Sequence, residues 1–262
     1  MNMLSVVIIT YNEEKNIGRC IDSVQGIADE VIVLDSYSTD DTVPMAISKG
    51  ATVYNEIFEG YIEQKNKALS LARHDFILSL DADEAIDGRL EESIHKVKQH
   101  VERRGYTMNR CTNYCGKFIR HGLWYPDIKL RLFNRKFVKW GGDNPHDKAE
   151  FIGKPSVRHL AGDILHYSYT TLEEHIAQNN KFSTISAEAL YNKGMRTGWF
   201  KILFSPGWAF VNDYFLRFGF LDGYYGFVIA VNIAHLTFLK YIKLYQRQKN
   251  HTCKDISSRV LL

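Results

Sequence analysis

The chain has 262 residues, 45% of them hydrophobic and 24% charged, with 33 basic against 30 acidic side chains and a formal charge of +3. That profile excludes disorder and collagen-like repeats. So small a basic excess also excludes a surface built to neutralise duplex phosphates, and no nucleic-acid partner is expected. The length suits one large domain, or one domain with an extension. Four cysteines (Cys20, Cys111, Cys115, Cys253) are too few for a disulfide framework, and the Cys111/Cys115 spacing lacks the second pair of a zinc site. A reducing, cytosolic setting is expected, and the opening strand pattern has no basic-then-apolar leader before it.

The first hundred residues alternate between strand and helix. Leu4–Thr10 is a near-continuous apolar run, as a strand buried on both faces requires. Ile17, Cys20, Ile21 and Val24 follow at helical spacing after Asn16. Glu30–Asp35 is a second buried strand; Ser38-Thr-Asp-Asp41 carries cap chemistry for the next helix, and Gly50 is placed to end it. Ala51–Ile57 reads as a third strand, Tyr61–Ala72 as a helix, His74–Leu80 as a fourth strand, and Leu90, Ile94, Val97 and Val101 mark another helix. Repeated units of this kind predict a doubly wound, mostly parallel sheet. Beyond residue 105 the pattern changes to strands at Tyr106–His121 and Ile128–Val138. A loop follows at Gly141–Pro145, then a helix capped by Thr170 or Thr171 that runs to about Asn192.

In such a sheet ligands bind beyond the carboxyl ends of the strands. Three of the four strands end in carboxylate-bearing segments: Thr10-Tyr-Asn-Glu-Glu14, Asp35-Ser-Tyr-Ser-Thr-Asp-Asp41 and Asp81-Ala-Asp83-Glu84. Turn and cap chemistry explains Thr39 and Asp40, but so many carboxylates on one edge repel unless a cation answers them. Asp81 and Asp83, flanking one residue, suit a hard divalent cation whose shell is completed by water and a diphosphate. There is no glycine-rich phosphate loop of the dinucleotide or P-loop type. A nucleophile elbow is also missing.

These segments resemble the inverting GT-A glycosyltransferases of family two in order and spacing. Tyr125-Pro-Asp-Ile-Lys-Leu-Arg-Leu-Phe133, Pro145-His-Asp147, His166-Tyr-Ser-Tyr169 and Phe218-Gly-Phe-Leu-Asp-Gly223 are similar to the branch of small bacterial enzymes that glucosylate the lipopolysaccharide inner core. The resemblance spans residues 3 to 245. It implies a Rossmann-like GT-A fold with nucleotide contacts from Thr10, Tyr11, Glu13 and Asp35, the last facing the uracil. It further implies Mg²⁺ or Mn²⁺ held by Asp81 and Asp83, with Lys65 and Asn66 near the nucleotide; Lys67 fits a solvated helix face equally well. The reaction is then a single displacement from a UDP-sugar, with glucose the expected sugar. The acceptor is a glycolipid or oligosaccharide of the lipopolysaccharide core or a related envelope glycan. The branch usually shows His-Glu after the Arg-Leu-Phe strand, where this chain has His146-Asp147. Asp147 is the expected catalytic base, with Glu150 and Asp143 as alternatives, and Arg131 is a candidate phosphate ligand. The same chemistry on a polyprenyl-phosphate or capsule intermediate, and a catalytically silent sugar-nucleotide binder, stay open as rivals.

Between Trp199 and Tyr245 lie 15 of the chain's 34 aromatic residues. Gly223–Leu239 is an uncharged run of 17 residues, short of the roughly 20 that a span wants. Aromatic residues interleaved with Lys201, Arg217, Lys240 and Lys243 suit a helix lying in a membrane interface. Core packing and an oligomer interface use the same composition. Three regions are expected: a nucleotide-sugar half over residues 1–105, an acceptor half over 106–195, and an aromatic, basic helical extension over 196–262. The extension would seat the protein peripherally on the cytoplasmic face of the inner membrane.

Overall fold

Four strands come first: β1 (Leu4–Thr10), β2 (Glu30–Asp35), β3 (Thr52–Asn55) and β4 (Phe76–Asp81). They are parallel to one another and lie in the order β3-β2-β1-β4. The computed structural model describes residues 2–143 and 146–260, with the side chains of 143, 146 and 251–260 outside the description. Helices α1 (Ile17–Val24), α2 (Thr42–Ser48), α3 (Tyr61–Leu71) and α4 (Gly88–Gln99) connect and cover the strands. The period-two alternation of β1 divides them between two faces. Leu4, Val6 and Ile8 pack with α1 and α4, through Ile17, Ile21, Leu90 and Ile94. Val7 packs on the opposite side with Ala68 and Leu69 of α3. The core is therefore doubly wound, as the sequence predicts.

The second half of the sheet is antiparallel. β8 (Asp127–Asn134) pairs with β4 and β6 (Gly105–Tyr114), the short β7 (Lys117–Phe118) pairs back on the end of β6, and β11 (Val157–Tyr169) lies between β6 and the short β5 (Glu84–Ile86). The sheet is thus mixed; only the half built from β1–β4 is parallel. β9 (Val138–Asp143) and β10 (His146–Phe151) form a separate two-stranded hairpin where a loop was expected. Trp140 and Val138 of β9 bury themselves against α3 and β1 residues, which supplies the apolar reason for the strand.

The chain divides into two compact units, one of residues 1–112 and 126–168, the other of 113–125 and 169 onward. In the second unit α5 (Leu172–Asn192) begins with a full capping box: the Thr171 hydroxyl accepts from the Glu174 amide, and the Glu174 carboxylate accepts in return. After α6 (Trp199–Val211), the Phe218-Gly-Phe-Leu-Asp-Gly223 segment forms a tight 3₁₀ turn. Its buried Asp222 accepts from the amides of Arg120 and His121, while buried Asp213 accepts from Leu123. A Cβ on Gly226 would meet the Gly219 carbonyl at 1.9 Å. The glycines and aspartates of this motif therefore clasp the 117–123 segment onto the start of α7 (Gly223–Val260).

Segment Gly219–Asn250, 32 residues, is long and apolar enough to cross a membrane once a few charges are tolerated, where the uncharged run alone fell short. Of the cations expected to face headgroups, Lys243 packs inside the unit instead. Lys243 donates to Asn180, Ser183 and Thr184 of α5 at 2.7–2.8 Å, and burial pushes its pKa down. What α6 and the following turn expose is apolar: Phe200 is 73% exposed, Leu203 66% and Trp208 64%.

His175 of α5 sits in a nest of Tyr114, Trp124 and Tyr169, with Nδ1 3.0 Å from the Tyr114 hydroxyl. Burial pushes its pKa down to about 4. The folded chain thus holds His175 neutral while the unfolded chain protonates it near pH 6.5, so stability is full above that pH. It declines as pH falls toward 4, by on the order of 2 kcal/mol. Unfolding curves of wild type and His175→Phe between pH 7.5 and 4.5 should converge as pH falls, the variant showing the flatter dependence. Parallel curves would remove His175 as the cause.

Candidate active site

β1 is the point at which the strand order reverses, since β2 and β3 lie on one side of it and β4 on the other. Ligands of such sheets bind in the crevice at that point. Ile9 is in register with Asp81, so the β1 and β4 loops open side by side. A cleft of about 690 Å³ lies there, lined by Thr10, Tyr11, Glu13, Ser36, Ile57, Phe58, Tyr61, Gln64, Asp81, Asp83 and His166 among others. Its rim is aromatic and open: Tyr11, Phe58 and Tyr61 are all exposed, and Phe58 meets Tyr61 edge to face at 5.1 Å. Such flat apolar surface suits a base ring, while the polar groups converge below it. The β1 loop is held open by Asn12, whose φ of 53° places it in the left-handed region that asparagine tolerates. Its amide donates to the Ser38 hydroxyl, and its side-chain oxygen accepts from the Thr39 amide.

The expected residues fall in two groups. Thr10, Tyr11, Glu13, Asp81 and Asp83 line the cleft. The Thr10 hydroxyl is buried without a hydrogen-bond partner, and burial pushes the Glu13 carboxyl up despite its bond from Asn16. Asp35 is not among the lining residues: it is 1% exposed, and its two carboxylate oxygens accept from the amide and hydroxyl of Ser38. It shapes the loop behind the cleft wall. Asn66 holds β9, donating to the Trp140 carbonyl and accepting from the Trp140 amide.

The crowded carboxylates are answered by the chain's own cations. Buried Lys65 lies 3.0 Å from Asp81 and 2.8 Å from Asp147. Buried Arg131 donates through Nη2 to Asp81 and Glu84, both at 3.0 Å. Burial alone would raise the Asp81 pKa; Lys65 and Arg131 outweigh it and hold the carboxyl well below the usual range. Breaking such a buried pair from one side is costly, about 3–5 kcal/mol, because the remaining charge is stranded. Lys65 and Arg131 therefore fix Asp81 in place. Asp81 lies on the wall of a second cavity of about 550 Å³, together with Lys65, Arg131, Trp140 and Asp147. Glu150 pairs with Lys148 at 2.9 Å. The side chains of Asp143 and His146 are outside the described residues.

Three contributors were not read as such from the sequence. Glu84, buried, accepts from the Asp81 amide and anchors Arg131. Trp140 lies under the Lys65 ammonium, 4.4 Å from ring centroid to nitrogen. His166 is brought in by the β5–β11 pairing, in register with Glu84, with the Tyr167 amide donating to the Asp83 carbonyl. Its Nε2 stands 3.1 Å from Asp83 Oδ2, and its Nδ1 has no partner. Among the described residues no cluster of three or more His, Cys, Asp or Glu is set to ligate a metal. Asp83 with His166 still fits Mg²⁺ or Mn²⁺, because such ions keep several waters and substrate phosphates in their shell and need few protein donors.

The family model described as glycosyl transferase family 2 matches residues 5–153. An uncharacterised glycosyltransferase of Rickettsia typhi is 35% identical over 93% of this chain and 87% of its own length. The lipopolysaccharide core biosynthesis glycosyltransferase LpsC of Rhizobium meliloti is 30% identical over 93% of this chain and 92% of its own. Among solved structures, Mycobacterium tuberculosis glucosyl-3-phosphoglycerate synthase with Mn²⁺ and UDP shows a limited likeness. It is 27% identical over 43% of this chain and 44% of that one, with a TM-score of 0.35. A family match across more than half the chain, at the strands that build the cleft, makes this protein a glycosyltransferase belonging to glycosyl transferase family 2.

Proposed function

We propose that the protein transfers a hexose, glucose being the expected one, from a UDP-sugar to a lipopolysaccharide core or a related envelope glycan, with inversion. The observation that carries this is the meeting of two cavities at Asp81, one with aromatic rim and carboxylates, the other holding Asp147. Tyr11, Phe58 and Tyr61 would cover the nucleobase, Thr10 and Glu13 would bind ribose and phosphate oxygens, and Asp35 keeps the loop between them in shape. Asp83 and His166, beside Asp81, would hold Mg²⁺ or Mn²⁺, which supplies charge neutralisation at the departing diphosphate when bound. Asp147 takes the proton from the acceptor hydroxyl as that oxygen bonds to the anomeric carbon. The bond from that carbon to the diphosphate breaks on the opposite face and UDP carries the electron pair away. Lys65 orients Asp147 and Asp81 together. The LpsC relative, matched along nearly its whole length, supports the choice of acceptor class.

The test is thermal stability against UDP, GDP, CDP, ADP and dTDP, with and without Mn²⁺. A ligand at about 100 times its dissociation constant stabilises by about 2.7 kcal/mol. A UDP-selective shift that grows with Mn²⁺ is expected; no nucleotide shift, or one indifferent to both base and metal, would sink the reading.

A peripheral seat on the inner membrane's cytoplasmic face belongs to the same reading, since a glycolipid acceptor lies there. It rests on the exposed apolar surface of α6 and the turn after it, with Lys201 and Arg217 exposed alongside. Contiguous apolar surface of this kind marks an interaction site. The full chain should float with anionic lipid vesicles, and Phe200→Glu with Trp208→Glu should release it while UDP binding stays unchanged. Failure of the wild-type chain to float would refute the seat.

A further inference from the structure

The structure assigns the second cavity an anionic ligand: we infer that the acceptor carries an oxyanion, a phosphate or a carboxylate, near the hydroxyl that receives the sugar. The inference deepens the proposed function, because it takes the cavity beside Asp147 as the acceptor subsite. Its evidence is a mismatch of donors and acceptors. Arg131, with a side chain only 4% exposed, spends Nη2 on Asp81 and Glu84, whereas Nη1 is buried without a partner. Trp140, 4% exposed, also leaves its indole Nε1–H buried without a partner. The two residues are neighbours, the guanidinium lying 5.2 Å from the Trp140 ring centroid, and both line the cavity. Buried donors that are unpaired are costly, and natural proteins reserve them for water or a ligand. Water that fills such a site is displaced without loss only by a group that accepts the same hydrogen bonds. The one acceptor on this wall left without a hydrogen bond, Asp81 Oδ1, is faced by the Lys65 ammonium at 3.0 Å, so the two unpaired donors select oxygen, and one of them being a guanidinium selects a charged oxygen.

The remaining wall agrees. Arg110, Lys129 and Lys148 also line the cavity. Arg110 and Lys129 share Asp127 at 2.9 and 3.0 Å, and Lys148 holds Glu150 at 2.9 Å. Arg110 is half-buried and also reaches Glu84 at 3.5 Å, so it stays in place, whereas the ammonium groups of Lys129 and Lys148 keep more of their side chains in solvent, where such pairs are worth little, and exchange partners readily when an anion enters. The two carboxylates on the wall, Asp81 and Asp147, do not oppose it, because Lys65 stands between them and Arg131 Nη2 bonds to Asp81.

The test uses the full chain with saturating UDP and Mg²⁺, titrated by thermal shift with glycerol phosphate, with glycerate, and with glycerol as the neutral control. A saturable shift with the ester or the acid, and none with glycerol, is expected; whichever anion binds tighter identifies the group. Trp140→Phe deletes the indole donor together with part of the ring that packs against α3, and should weaken that binding on the order of tenfold. Lys129→Gln with Lys148→Gln, both on the accessible wall, should weaken it similarly through lost charge-assisted bonds, and leave UDP affinity unchanged. No anion-specific shift, or equal shifts in wild type and in the double lysine variant, overturns the inference. The titration is repeated without nucleotide. Failure of UDP to bind then counts against the donor assignment alone, while the lysine variant still reports on the second cavity.

Discussion

Asp147→Asn should lower sugar transfer about 10²- to 10⁴-fold, the usual worth of a positioned general base, and leave UDP binding intact. The substitution is nearly isosteric, and the asparagine oxygen can still accept from Lys65, which stands 2.8 Å from the native carboxylate. Lys65 also keeps its pairing with Asp81 at 3.0 Å. Packing and the donor cleft are thereby preserved, and what disappears is the capacity to take a proton. The side chain is mostly buried at 12% exposure, so solvent has limited access to replace it. Activity would be measured with UDP-glucose on a panel of truncated lipopolysaccharides, alongside UDP affinity. The informative control is Glu150→Gln. Glu150 is 38% exposed and pairs with Lys148, so its loss should cost little. Transfer within tenfold of wild type in Asp147→Asn, with collapse in Glu150→Gln, would move the base to Glu150.

The parallel half of the sheet was legible because its signals are local. Continuous apolar runs of six or seven residues rich in valine, isoleucine and leucine are what strands buried on both faces require, and β1, β2 and β4 lie where those runs are. Ile17, Cys20, Ile21 and Val24 are all fully buried on α1, as their spacing requires. The carboxylates after β1 and β4 open on one cleft because parallel strands carry their carboxyl ends to the same edge. What stayed hidden depends on partners distant in sequence. His166 reaches Asp83 only through the three-residue pairing of β5 with β11, and a strand as short as β5 has no periodicity to read. Lys65 on α3 meets Asp147 across 82 residues; nothing in Gln64-Lys-Asn-Lys67 distinguishes the inward lysine from the outward one, Lys67, which pairs with Glu56 on the surface. Gly141–Pro145, crowded with glycine, asparagine and proline, reads as a loop, and only the packing of Trp140 shows that β9 runs on through Gly141 and Gly142. Lys243 reads as an interfacial cation for a similar reason: composition places a charge among aromatic residues, and only the packing of α5 shows what it meets.

Asp83→Ala should remove the metal-dependent part of UDP stabilisation and cut transfer about 10³-fold or more, the equivalent of several kcal/mol of charge stabilisation. The fold should be indifferent to it. Asp83 sits between β4 and β5 with its side chain 27% exposed, and the bond that ties this turn to β11 is made by its backbone carbonyl, which accepts from Tyr167 whatever the side chain. Asp81 would remain pinned by Lys65 and Arg131. Thr10, Tyr11 and Glu13 should therefore still bind UDP in the absence of metal, and a thermal-shift series with and without Mn²⁺ separates the two contributions. His166→Ala should reproduce a part of the loss, since Nε2 shares the site with Asp83 at 3.1 Å. If both side chains serve one ion, the double variant should be no worse than Asp83→Ala by itself, because residues acting through a shared partner are not additive. Full retention of the Mn²⁺-dependent shift in Asp83→Ala would mean that the cation is held elsewhere or not at all. Independent, additive losses would mean that His166 acts on the nucleotide directly rather than through the ion.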